Sequence, residues 1–153
     1  MNQKKMENIE VKVKDIILKP VHEVFDAIRN PEKLCGFFTL KTSGPLVQGK
    51  NIEWWFEVVD HSFTVYISKV VENKKFTIEW AASGIKAIID IQLEAINDQT
   101  TSIKITEKSF PFDRAGVERA LQQTQGWTDF ICSLKAYLYT GINLRMGRSK
   151  DAL

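Results

Sequence analysis

Glu107 is the one ionisable side chain whose place in the sequence pattern points inward. It continues the alternation of Ile103 and Ile105, so a strand through these residues aims its carboxylate at the apolar side of a sheet, near the Phe110-Pro111-Phe112 loop. An apolar wall would raise its pKa and make it an acid or base. The other placement ends the strand first and lets Glu107 reach solvent or pair with Lys108 or Arg114. Glu107 is therefore a weak catalytic candidate, and the sequence offers no second one. His22 and His61 are the only histidines, and neither has metal-ligand spacing to a cysteine or carboxylate. A helix surface and a turn account for them, so no metal is expected. Gly-x-Ser-x-Gly elbows, catalytic-cysteine signatures and glycine-rich phosphate loops are all missing. That argues against the common hydrolases and nucleotide enzymes and gives no reason to expect a cofactor.

The bulk composition is equally unspecialised. Lysine and arginine number 21 against 19 acidic residues, a net charge of +2, so no strong field steers the chain to nucleic acid or anionic lipid. No apolar run reaches about 18 residues and the N-terminus MNQKKMENIE lacks an apolar signal region. Neither export nor membrane insertion is indicated, and a cytoplasmic location is the default expectation. Cys35 and Cys132 show no paired spacing and read as buried, reduced thiols.

The elements that would hold these residues follow from periodicity. Ile9, Val11 and Val13 alternate with Glu10, Lys12 and Lys14, predicting a half-buried strand to about Leu18. Pro20 opens a helix with Val21, Val24, Phe25 and Ile28 on one face, and Asn30-Pro31 caps and starts a short second one. From Thr42 to Glu107 the period is two. Inward positions are Trp54 and Phe56 on one strand, then Val65 and Ile67, then Phe76, Ile78 and Trp80. Ile89, Ile91 and Leu93 follow, and Ile103, Ile105 and Glu107 end the series. Short polar turns between them mark an antiparallel meander. A helix from about Asp113 to Leu138 carries Ala120, Thr124, Trp127, Ile131, Leu134 and Leu138 as one stripe. About 25 residues span about 38 Å, enough to cross a twisted sheet. Gly126 weakens that helix by roughly 1 kcal/mol and reads as a point of close helix–sheet approach. The expected fold is α+β, a single domain over 1–153 with an ordered core of about 9–140. The tail Arg145–Leu153 has little to bury and reads as mobile.

This order of elements resembles the START-like (SRPBCC) helix-grip superfamily, and within it homologues of the activator of the ninety-kilodalton heat-shock protein ATPase. The resemblance is carried by Lys19-Pro20-Val21-His22-Glu23-Val24-Phe25, Asn30-Pro31, Ser43-Gly44-Pro45 and the Trp54-Trp55 strand. Thr100–Ile105 and Gln125-Gly126-Trp127 ahead of Leu134–Leu138 complete it. It implies a curved sheet of about six or seven strands around a long C-terminal helix. Relatives bind lipids, sterols, polyketides or hormones, and some are enzymes. Where the family often has a tryptophan near the second short helix, this chain has Phe37-Phe38.

A curved sheet gripping one helix leaves space between them, so an internal cavity is expected. Its lining would be Trp54, Phe56, Val65, Ile67, Phe76, Ile78, Trp80, Ile89, Ile91, Leu93, Ile103, Ile105, Glu107, Trp127, Ile131 and Leu134. An aromatic lining with few polar anchors suits an apolar small molecule. Two other functions stay in view: a chaperone partner whose ATPase is stimulated, and an enzyme using Glu107 on an apolar substrate. A monomer or weak homodimer is expected.

Overall fold

The computed structural model describes residues 8–148. Strand β1 (Ile9–Ile17) leads into helices α1 (Val21–Arg29) and α2 (Pro31–Leu34). Six strands follow: β2 (Lys41–Thr42), β3 (Asn51–Trp55), β4 (Phe63–Val71), β5 (Lys75–Trp80), β6 (Ala87–Asn97) and β7 (Thr100–Phe110). Helix α3 (Arg114–Thr140) comes last. All seven strands form one antiparallel sheet in the order β1-β7-β6-β5-β4-β3-β2. The meander is as the alternation predicts, with β1 returning to close beside β7. Register shifts at Ile9/Val11, Ile67/Lys69 and Ala95/Asn97 insert extra residues that bend the strands and sharpen the curvature. This is the α+β helix-grip arrangement.

The helix boundaries have local causes. The Asn30 side chain accepts a hydrogen bond from the Glu32 N–H, with Pro31 at the first helical position of α2. Asp113 caps α3 by accepting from the Gly116 N–H at 2.7 Å. Gly116 has no alternative: a Cβ there would lie 1.8 Å from the Pro111 carbonyl oxygen. Gly141 ends α3 in the left-handed conformation, φ +76°. Along its length α3 lies over β1 and β7, and Lys135 reaches Asp15 of β1 at 3.1 Å.

The expected tail is docked as far as the description runs. Arg145 and Arg148 both pair with Asp129 of α3, at 2.9 and 2.8 Å; the tail beyond Arg148 lies outside the described residues. The sequence conceals this because the partners are far apart along the chain. The thiols also differ from expectation, with Cys132 exposed and Cys35 half-buried.

The core between sheet and helix is solid. A void wide enough for water would leave exposed area on its walls, yet Val65, Ile67, Phe76, Ile78, Ile89, Ile103, Ile105 and Leu134 are all 0% exposed. Phe25 of α1 stacks on Phe76 with ring centroids 4.6 Å apart, and the branched side chains of neighbouring strands fill the rest. The space that curvature opens is taken up here by α1 and by rings.

Candidate functional site

Open space survives at one end of the grip, and Phe38 is its centre. After α2 the chain makes two further tight turns, the N–H groups of Phe37 and Phe38 donating to the Leu34 carbonyl. Gly36 lets this corner approach α3, since a Cβ there would be 2.6 Å from the Tyr137 ring. Phe38 is thereby thrust beneath the sheet, edge-on to Trp54, Phe56 and Phe130 and stacked on Trp127. Trp80 bridges Trp54 and Trp127 at 5.6 Å from each. The chain leaves β3 after Trp55, earlier than the alternation predicts, and this swings Phe56 over Phe38 and Phe63.

Two adjoining pockets open against this cluster. The inner one, about 180 Å³, is lined by Phe38, Phe56, Val58, Val59, Trp80, Gln123, Gly126, Trp127 and Arg145. The outer one, about 210 Å³, shares Phe38, Phe56, Val58 and Arg145 and extends over Cys35, Leu40, Met146 and Arg148. Each is smaller than the roughly 300–1,000 Å³ of most ligand sites, and together they reach that range. Gly126 faces the inner pocket, and a Cβ added there would meet nothing within 4 Å. Its role is the opposite of the close approach expected from the sequence: it keeps a helix face bare.

Glu107 lies behind the inner pocket. It points inward, between Val11 and Ile89 on the neighbouring strands, and is 0% exposed. Trp127 Nε1 donates to it at 2.8 Å, and Gln123 Nε2 donates to both oxygens at 2.9 and 3.1 Å. Burial raises its pKa, and the donors from Trp127 and Gln123 only partly oppose this. Trp80 Nε1 opposes it further from outside hydrogen-bonding geometry and has no hydrogen-bond partner of its own. Pairing with Lys108 or Arg114 does not occur: Lys108 is exposed and Arg114 meets Glu118.

At the other wall, the Arg145 guanidinium lies 4.7 Å over the Phe38 ring and contacts the Phe38 carbonyl at 3.4 Å. Burial lowers its pKa, opposed by the charge of Asp129; an arginine remains charged even so. Burial would lift the Asp129 carboxyl, but the Arg148 hydrogen bond and both arginine charges hold it below its ordinary value.

Of the side chains expected to line a cavity, Phe56, Trp80 and Trp127 border the inner pocket, and Trp54 backs it through Phe38 and Trp80. Val65, Ile67, Phe76, Ile78, Ile89, Ile91, Ile103, Ile105, Ile131 and Leu134 are core. Leu93 is also buried but edges a groove at the opposite end, with Val21 and Ala95. Missing from the expected lining are Phe38, Val58, Val59, Gln123, Gly126 and Arg145. Only the Phe37-Phe38 pair and the glycine beside Trp127 carried a signal. Among the described residues no three His, Cys, Asp or Glu side chains gather to hold a metal, and no helix is long and apolar enough to cross a membrane.

Known proteins fit this architecture. Protein SSP2350 from Staphylococcus saprophyticus is 30% identical, with a TM-score of 0.78 over 93% of this chain and 99% of that one. The Aha1 dimer from Colwellia psychrerythraea is 22% identical, with a TM-score of 0.72 over 87% of this chain and 98% of its own. DynU16, from the dynemicin biosynthetic locus, is 22% identical with a TM-score of 0.78, covering 89% of this chain and 49% of that chain. The last two share the fold alone. No curated protein sequence matches. The family model described as Activator of Hsp90 ATPase homolog 1-like protein matches residues 19–139, and the chain belongs to that family.

Proposed function

We propose that this protein binds a small apolar molecule with a flat body at the open end of the grip, against Phe38, Phe56, Trp80 and Trp127. Gly126 carries the reading. A glycine inside a 27-residue helix costs about 1 kcal/mol relative to alanine, and no close contact demands it. What its missing side chain preserves is access to an aromatic-walled pocket. The exposed Leu40 and Met146 extend the apolar surface at the rim of the outer pocket. Glu107 acts structurally, because it orders Trp127 and Gln123 and does not border either pocket.

Titration with prodan, an uncharged naphthalene dye, tests this. Saturable binding to the wild type and at least a tenfold loss, about 1.4 kcal/mol, in Gly126→Leu are expected, with thermal stability retained. Equal affinity in the two proteins would refute the site. The family description favours a second reading, stimulation of a chaperone ATPase. Absence of stimulation at micromolar protein would dispose of it.

A further inference from the structure

We propose that the molecule bound at this site is an apolar anion, an aromatic or aliphatic carboxylate, whose charged group is received by Arg145. The inference rests on the pocket reading above and adds the polarity of its occupant. Arg145 is the single formally charged residue among those lining the inner pocket, and it also lines the outer one. Its guanidinium is held in place on three sides. One terminal nitrogen meets Asp129 at 2.9 Å, another the Phe38 carbonyl, and the plane lies over the Phe38 ring. Its Nε–H is buried with no hydrogen-bond partner. A buried donor left unmatched is unfavourable, most of all on a charged group. The sealed Nε–H is out of a ligand's reach, but the Arg145 side chain keeps 18% of its surface exposed where it borders the two pockets, and a carboxylate is the acceptor that suits a guanidinium best.

The surroundings keep the charge from being wasted. Arg148 takes both Asp129 oxygens, at 2.8 and 3.3 Å, so Asp129 is shared between two cations. Glu57 is the one acidic side chain on the wall of the outer pocket, and it is exposed. The inner pocket has none on its wall, since Glu107 is sealed behind Gln123 and Trp127. A flat apolar acid would therefore lay its body against Trp80 and Trp127 and its charged end toward Arg145.

The test compares 2-naphthoate with 2-naphthamide, which match in shape and differ in charge, by calorimetric titration of the full chain. The wild type is expected to bind the acid at least tenfold more tightly than the amide. Arg145→Met should abolish that preference, whereas Arg145→Lys should retain part of it. Equal affinity of the wild type for the two probes would overturn the proposal and leave the pocket reading standing. Binding of neither would remove both. A preference surviving in Arg145→Met would also overturn it, and the wild-type comparison decides even if that variant fails to fold.

Discussion

Glu107 shows how one buried carboxylate can set the pH dependence of a fold. It has two neutral donors, Trp127 and Gln123, and no cation in hydrogen-bonding contact, so burial dominates and its pKa rises from the ordinary 4.5. Between those two values the folded state holds a proton that the unfolded chain has released. Stability is thus fully present below the ordinary pKa and falls as pH rises through the raised one. Glu107→Gln keeps the shape and removes the charge. Denaturation across pH should show the variant gaining on the wild type from about pH 4.5 upward, levelling off above the raised pKa; parallel profiles would contradict the assignment. The inward direction of Glu107 was legible from its phase with Ile103 and Ile105. Its enclosure was not, because Gln123 and Trp127 come from a helix whose rotation over the sheet no local pattern specifies. The Phe37-Phe38 pair marked an aromatic corner, but an aromatic just after a four-residue helix belongs to no period, so the rings that Phe38 meets were not legible. Phe38→Ala should destabilise by about 3–5 kcal/mol in chemical denaturation, since four other rings rest on it.

At the scale of elements, α3 carries two glycines with opposite meanings. Gly116→Ala must push against the Pro111 backbone and should lose about 1–3 kcal/mol, while Gly126→Ala meets nothing and should gain about 1 kcal/mol. Thermal melts of the two variants, shifting in opposite directions, check the contrast. Both residues look alike in the sequence, since propensity counts a glycine's effect on its own helix and is blind to the neighbour it faces. The docking of residues 145–148 was hidden for a related reason. Their ties to Asp129 bridge distant positions, and the polar stripe of α3 gives no sign of which carboxylate is taken. Asp129 has a depressed pKa, so its contribution is full above its ordinary 3.8 and is lost as pH falls through the lower, folded value. Asp129→Ala should speed amide exchange at residues 142–148 and leave β6 and β7 protected. Unchanged exchange there would mean that the ion pairs do not hold the segment.

For the molecule as a whole, the sheet, its meander and the long helix were all written in the period-two and helical patterns, because each strand buries one face against one cover. The amount of space left between them was not. It depends on how rings and branched chains from α1, the sheet and α3 interdigitate, and here Phe25 on Phe76 and the isoleucines of β5 to β7 close the middle. Apart from the groove beside Leu93, the grip stays open where Gly126 withholds a side chain and the chain leaves β3 after Trp55. We propose this opening as the binding site. Amide and indole chemical shifts of the isotope-labelled protein, followed during prodan titration, address it most directly. Saturable shifts confined to Phe38, Val58, Val59, Gln123–Trp127, Arg145 and the Trp80 and Trp127 indoles are expected. Shifts scattered over the surface, centred on the groove beside Leu93, or absent at saturating dye would contradict it.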